Sequence, residues 1–129
     1  YCTCCGLDVT QWRAAEEHLR AAHAALRRGE FDLARRSLAA AREIQPAHPE
    51  LARLGAAVEE RAKNFSLAAA AARRAEVERR FEAAREAWSA ALQLAPDSSE
   101  ARSARERAAE LARSTALASA VTQVQRAFE

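Results

Sequence analysis

Two stretches of the chain, fifty residues apart, carry the same pattern of amino acids. The segment "RRGEFDLARRSLAAAREIQP" at 27–46 is matched by "ERRFEAAREAWSAALQLAP" at 78–96. A shift of fifty residues aligns the following pairs without a gap: Phe31 with Phe81, Ala34 with Ala84, Arg35 with Arg85, Pro46 with Pro96 and Glu50 with Glu100. A chain of 129 residues with this period is therefore built from two copies of one supersecondary unit.

The composition indicates that this unit is helical. The chain has 36 alanines against 12 leucines, five valines and one isoleucine, and 29% of its residues are charged. Alanine is the best helix former, whereas the β-branched and aromatic residues that favour strands are scarce. We therefore expect an all-α fold in which small side chains allow helices to approach closely.

Glycine and proline divide the chain into helices. Gly29 ends a first helix that Asp8 or Thr10 caps, and Pro46 ends a second helix that begins near Glu30. In the second helix, apolar residues at spacings of three and four form one buried stripe. Its members are Phe31, Ala34, Leu38, Ala41 and Ile44.

In the rest of the chain, prolines and capping residues again mark the helix ends, but one helix boundary is left undecided. Pro49 suits the start of a third helix, but no strong helix breaker lies between 64 and 80. The stretches 49–63 and 65–80 are therefore either two helices or one. A further helix runs from Phe81 to before Pro96, and Asp97, Ser98 or Ser99 caps the next, which reaches about Arg113. We expect five to six helices. The chain should divide into a flexible Cys-rich remnant at 1–9, two repeat units spanning 10–113 (14–63 and 64–113), and a capping helix or truncated further repeat at 114–129.

The repeated unit resembles the tetratricopeptide repeat (TPR), a helix-turn-helix unit of about 34 residues. In residues 15–48 the matching positions are Ala21, Ala22, Ala25, Gly29, Phe31, Ala34, Leu38, Ala41 and Pro46. In residues 65–98 they are Ala71, Ala72, Ala75, Phe81, Ala84, Trp88, Ala91 and Pro96. The second unit has Arg79 where glycine is usual, and both units lack the family's early aromatic residue. The resemblance implies antiparallel helix pairs in an α-solenoid fragment, with one extra helix per fifty-residue unit.

The resemblance also implies a partner-binding surface, because the first helices of this family line a groove that binds peptides. It places nine residues of this chain there: Glu16, Leu19, His23, Leu26, Arg27, Arg73, Glu76, Val77 and Arg80. Leu19 and Leu26 lie off the alanine face of the first helix, so they are either covered by another element or exposed as an apolar strip. The asparagine and lysine residues with which some members clamp a C-terminal carboxylate are absent.

These residues favour a non-enzymatic module that binds a protein or peptide partner. The alternative is a structural spacer or self-association segment, using Trp12, Leu19 and Leu26, within a larger, membrane-anchored bacterial protein. The bacterial origin is suggested only by the richness in alanine and arginine. No Ser-His-Asp arrangement or phosphate-binding loop is present, and His18, His23 and His48 share no metal-binding spacing, so we expect no enzyme, metal or cofactor.

Charge patterning bears on nucleic acids and membranes. Twenty basic and 18 acidic residues give a net charge of +2 and are interleaved along the chain. The most basic stretch, around Arg73 and Arg80, contains glutamates at helical pairing distances, which is typical of a solvated face and not of a nucleic-acid surface. No apolar run approaches the roughly 20 residues of a membrane span, so we expect no membrane insertion within this chain.

The first residues suggest processing or truncation. The chain begins at Tyr1 without any methionine, so we interpret it as a fragment whose compartment, cytoplasmic or periplasmic, the sequence does not identify. Cys2, Cys4 and Cys5 have poor spacing for a zinc site. We interpret them as a terminal remnant, with lipidation near a membrane anchor and metal binding as alternatives.

Overall fold

The computed structural model describes residues 8–129, which form five α-helices and, over that range, no β-strand. The helices are α1 (Val9–Arg28), α2 (Phe31–Ile44), α3 (Glu50–Val77), α4 (Phe81–Leu94) and α5 (Ser99–Ala127). The predicted all-α fold is confirmed. The expectations for Cys2, Cys4 and Cys5 lie outside the described residues.

Local side chains and turns set the helix ends as the sequence predicts. The carboxylate of Asp8 accepts a hydrogen bond from the backbone N–H of Thr10 (2.9 Å) at the start of α1. The hydroxyl of Ser98 accepts one from Ala101 N–H (3.2 Å) at the start of α5. These contacts satisfy backbone donors that the first turn of a helix leaves free.

The fifty-residue repeat is also present in the backbone hydrogen bonds. After α1, Gly29 N–H donates to the carbonyl of Leu26 (3.1 Å) and the next N–H donates to the carbonyl of Ala25. After α3, Arg79 N–H donates to the carbonyl of Glu76 (3.0 Å), and the next N–H again reaches one residue further back. Gly29 has φ 76° and Arg79 has φ 59°, so both turns use the left-handed conformation. The two units therefore share one turn geometry, although only the first has glycine there.

The two longest helices are continuous across the predicted unit boundaries. The boundary between 63 and 64 lies within α3, and the boundary between 113 and 114 lies within α5. Asn64 and Ser66 do not interrupt α3, because neither residue removes a backbone hydrogen bond as proline would. The two stretches left open by the sequence, 49–63 and 65–80, therefore belong to one helix up to Val77.

Each half of α3 belongs to a different hydrophobic cluster. Its first half packs on α1 and α2 through Leu51, Leu54 and Val58, and its second half packs on α4. The first cluster consists of Leu19, Ala22, Ala25, Leu26, Ala34, Leu38, Ala41, Leu51, Leu54 and Val58. The second consists of Ala69, Ala72, Ala75, Ala84, Trp88, Ala91, Leu92, Ala101, Ala104 and Ala108. The helix α3 thus connects the two clusters as one rod of 28 residues.

The two clusters fill equivalent positions with different side chains. Leu51, Leu54 and Val58 of the first cluster correspond, fifty residues on, to alanines in the second. In compensation, Leu38 corresponds to Trp88, whose side chain is the largest that is fully buried and is only 2% exposed. One large aromatic side chain therefore takes the space that several aliphatic side chains share in the first unit.

A loop contact joins the two units a second time. The N–H of Asp97, between α4 and α5, donates to the carbonyl of Arg27 (2.8 Å), and Arg27 Nε donates to the Asp97 carboxylate (3.0 Å). A Cβ atom placed on Gly29 would lie 3.3 Å from the Cβ of Ala95 in the same loop. The turn after α1 therefore packs closely against the loop before α5.

Candidate functional site

The candidate site is a shallow groove of about 370 Å³ between α1 and the first half of α3. We call it the cationic groove, and it is lined by His23, Leu26, Arg27, Glu50, Arg53, Leu54, Ala57 and Arg61. Three of these residues, His23, Leu26 and Arg27, belong to the surface that the sequence predicted. The other five lie on the first half of α3, which was not part of the predicted surface.

The floor of the cationic groove is apolar and its edges are charged. Leu26 and Leu54 are buried members of the first cluster, and Ala57 packs against that cluster. Arg53, Ala57 and Arg61 follow one another at intervals of four residues, which places them on one face of α3. The face combines an apolar contact surface with guanidinium groups that can donate several hydrogen bonds.

The arginines of the groove differ in how they are paired. Arg27 is bound to Asp97, and His23 Nε2 lies 3.7 Å from a carboxylate oxygen of Glu50. Within residues 8–129, neither Arg53 nor Arg61 forms an ion pair. Two exposed guanidinium groups at the edge of an apolar floor therefore retain their donors for another molecule.

The predicted residues of the second unit occupy the equivalent face, but that face is filled by internal contacts. The indole N–H of Trp88 donates to Glu76 Oε1 (2.8 Å), and Arg107 lies 3.9 Å from the same carboxylate. Arg73 donates to Glu100 (3.1 Å) and its guanidinium lies 5.7 Å from the centre of the Trp88 ring. Glu76 and Arg73 are thus engaged within the chain, and Val77 beside them is 85% exposed.

The remaining three predicted residues, Glu16, Leu19 and Arg80, do not line the groove. Leu19 is 1% exposed and packs in the first cluster, as Leu26 does at 3%. Of the two outcomes left open by the sequence, covered or exposed, the structure shows that both leucines are covered, because they belong to the cluster that α1 forms with α2 and α3. Leu19 is therefore unavailable to a partner in this fold, and Leu26 contributes only to the floor of the groove. Arg80 lies in the turn before α4, where it pairs with Glu78 (3.5 Å).

Glu16 and Trp12 both contact His48, which lies between α2 and α3. Glu16 Oε1 lies 2.7 Å from His48 Nε2, and the imidazole stacks on Trp12 with 4.5 Å between the ring centroids. The His48 Nδ1 accepts the N–H of Glu50 (3.1 Å), so Nε2 carries the proton that Glu16 accepts. The self-association surface predicted at Trp12, Leu19 and Leu26 is therefore occupied by contacts within the chain.

The α3 residues of the groove were not predicted, because the family resemblance places the peptide-binding surface on the first helices. The missing information was the position of α3 across α1, which is a tertiary contact. The spacing of Arg53, Ala57 and Arg61 nevertheless indicated such a face, because it places one arginine on each side of a small residue along the helix.

A larger groove, of about 530 Å³, lies beside the turn after α1 and is lined by both acidic and basic residues. Its Arg35 is already bound to Glu59 (2.7 Å) and to Asp32 (2.9 Å). The hydrogen bond and charge of Arg35 lower the pKa of Glu59, and the same carboxylate raises the pKa of Arg35. The guanidinium of Arg35 is therefore less available to another molecule than those of Arg53 and Arg61.

The described residues contain neither a metal-binding cluster nor a membrane-spanning helix. Within 8–129, no three His, Cys, Asp or Glu side chains come together in an arrangement that could hold a metal ion. In the same range, none of the five helices combines the length and the apolar character needed to cross a lipid bilayer.

Comparisons with protein-family models, with curated proteins and with solved structures gave no significant match. The resemblance to the tetratricopeptide repeat accordingly rests on the residues of the chain itself.

Proposed function

We propose that this chain is a non-enzymatic, TPR-like protein-interaction module that binds an acidic segment of a partner protein in the cationic groove. The observation that supports this function is the combination, in one groove, of an apolar floor at Leu26 and Leu54 with Arg53 and Arg61, which have no ion-pair partner among the described residues. The bacterial, membrane-anchored context considered for the parent protein stays a hypothesis, as does the solenoid arrangement.

The groove suits a short peptide with a particular chemistry. A volume of about 370 Å³ accommodates a few side chains, which is at the small end of ligand sites. An apolar side chain such as leucine would cover the floor, while carboxylates on either side of it would accept hydrogen bonds from Arg53 and Arg61. Arginine binds carboxylates well because its planar guanidinium can donate two parallel hydrogen bonds.

The test uses two sets of fluorescein-labelled peptides that contain one leucine, flanked in one set by aspartate and glutamate and in the other by lysine. Fluorescence anisotropy measures their binding to the whole chain. We expect the acidic set alone to bind, with an affinity that falls as salt is added, because partly exposed ion pairs are screened. The double variant Arg53→Glu, Arg61→Glu should weaken binding about tenfold or more, since it replaces attraction by repulsion.

A matched control separates the groove from general charge. Arg13→Glu with Arg36→Glu makes the same change in net charge on exposed residues of α1 and α2 outside the cationic groove. This control should leave peptide affinity within about twofold, because neither arginine lines the cationic groove. Equal weakening by both double variants, or no preference for acidic peptides, would contradict the proposed function.

A further inference from the structure

The second half of α5 carries an apolar face that no other residue of 8–129 covers. Leu117, Val121, Val124 and Phe128 are 67%, 49%, 56% and 88% exposed, and we call these four residues the C-terminal stripe. Every residue from 113 to 129 is exposed. The twelve residues 114–125 contain no charge, in a chain where 29% of the residues are charged.

The stripe is not a continuation of the face that α5 packs on α4. The face toward α4 is buried and consists of Ala101, Ala104, Ala108 and Ala112. With about 100° of rotation per residue, the C-terminal stripe lies on the opposite side of the helix. The apolar side of α5 therefore changes near residue 113, and the apolar residues of its second half face away from α4.

The apolar character of the stripe is not repeated at the equivalent positions of α3. Fifty residues earlier, the stripe positions hold Leu67, Ala71, Arg74 and Glu78, which are exposed. Val124 and Phe128 thus replace charged residues. An apolar surface at positions that are solvent-facing in the other unit indicates an additional contact.

The same comparison argues against a further repeat helix on α5. In α3, the alanines that receive α4 are Ala69, Ala72 and Ala75. Their equivalents in α5 are Ser119, Thr122 and Gln125, which are larger and polar. A helix like α4 would have to bury those groups, whereas a partner on the C-terminal stripe would bury only apolar side chains.

We propose that the C-terminal stripe is a self-association surface, on which two copies of this chain pair the second halves of α5 in antiparallel orientation. The spacing of the stripe, four, three and four residues, is that of the a and d positions of a coiled coil. Antiparallel pairing about a two-fold axis between Val121 and Val124 places Leu117 of one copy against Phe128 of the other. In this register residues 116–125, which carry no charge, face residues 120–129 of the other copy. Arg126 lies on the side of α5 opposite the stripe, so that the contact buries no unpaired charge.

Charges farther along α5 favour the antiparallel orientation. Glu110 and Glu106 lie on the same side of α5 as the stripe, about two and three turns before it. A parallel pair would set these glutamates against the same glutamates of the other copy. In the antiparallel pair they lie past Phe128 of the other copy, so like charges are kept apart.

The expected dimer is weak and reversible. A helical contact over 117–128 is about 18 Å long, which is short of a standard stable interface. We therefore expect a dissociation constant in the micromolar range, and a population of dimer that rises with concentration.

Sedimentation equilibrium of the whole chain, over a series from low to high micromolar concentration, tests the proposal. The wild-type chain should shift from monomer to dimer. The variant Val121→Glu, Val124→Glu should weaken the dimer on the order of a hundredfold, because it would bury unpaired charges at the centre of the contact. Since both positions are solvent-facing in the monomer, its helical circular dichroism and thermal midpoint should stay close to those of wild type.

Leu67→Glu is the matched control, because Leu67 is 61% exposed on α3 and lies outside the proposed contact. It should dimerise like wild type. A wild-type chain that stays monomeric across the series would overturn the proposal, as would a dimer that survives Val121→Glu, Val124→Glu.

Disulfide cross-linking tests the orientation. In a background with Cys2, Cys4 and Cys5 replaced by serine, Leu117→Cys and Phe128→Cys should form a disulfide when the two proteins are mixed, and each should cross-link poorly alone. Efficient cross-linking of each variant with itself would instead show parallel pairing and overturn the antiparallel contact.

Discussion

The turn at Arg79 offers a direct test of the repeat, because a side-chain residue occupies the left-handed position that glycine occupies in the first unit. A left-handed backbone costs a residue with a Cβ atom about 1–2 kcal/mol, and glycine avoids this cost. Replacing Arg79 by glycine also makes the unfolded chain more flexible, which costs about 0.4–1 kcal/mol. We therefore expect Arg79→Gly to raise the free energy of unfolding by about 0.5–1 kcal/mol, the difference between these two contributions.

The side chain of Arg79 does not complicate this estimate. Within residues 8–129 the guanidinium makes no hydrogen bond or ion pair, so its removal breaks no polar contact. The variant Arg79→Ala keeps the Cβ atom and the strain but removes the guanidinium. Its stability should equal that of wild type, which separates the backbone effect from the side chain.

The reverse substitution should have the opposite effect. Gly29→Ala introduces the same strain at φ 76° and places a Cβ atom 3.3 Å from the Cβ of Ala95. We expect a loss of about 1 kcal/mol or more, because the strain and the close contact together exceed the entropy gained in the unfolded chain.

Urea and thermal unfolding followed by circular dichroism measure both effects. For a domain of this size, 1 kcal/mol corresponds to about 4 °C in the melting temperature. If Arg79→Gly were neutral or destabilising while Arg79→Ala matched wild type, the left-handed turn at 79 would not carry the strain that its φ angle implies.

Two further predictions concern the core and one exposed ion pair. Trp88→Ala should lower the free energy of unfolding by about 3–5 kcal/mol, because the alanines around it cannot fill the cavity. Trp88→Phe should lower it by less. Urea unfolding of both variants can be followed through the fluorescence of Trp12. Arg35→Gln should raise the pKa of Glu59 toward its ordinary value, as measured by NMR titration of the side-chain carboxyl group. Since the pKa of Glu59 is lowered in the folded chain, the pair stabilises the fold above the unfolded pKa, and this contribution is lost as the pH falls through the folded pKa. An unchanged titration of Glu59 in the variant would contradict the assignment of Arg35 as the cause.

The helix ends could be predicted from the sequence because their causes are local. Gly29, Pro46 and Pro96 each act on the backbone of their own turn, so their effect does not depend on the rest of the fold. The continuity of α3 could not be predicted, since Asn64 and Ser66 neither favour nor prevent a helix strongly.

The cationic groove was only partly predictable, because it depends on how α3 crosses α1. The expectation that Leu19 and Leu26 lie off the alanine face of α1 was wrong, because both share one buried side of the helix with Ala15, Ala22 and Ala25. Periodicity within α1 does not show which element covers that side. The predicted residues His23 and Arg27 lie at the groove because they flank that covered side. Arg53 and Arg61 required knowledge of the neighbouring helix.

The difference between the two repeat faces follows from the way each unit fills its core. Trp88 brings an indole N–H that must find an acceptor when it is buried, and Glu76 supplies this acceptor at 2.8 Å. The carboxylate of Glu76 in turn attracts Arg107, so charged side chains close the second face. In the first unit Leu38 has no polar atom, and the position equivalent to Glu76 can therefore be Leu26, which leaves an apolar floor. The choice of leucine or tryptophan at one core position thus determines which of two equivalent backbone faces stays open to a partner.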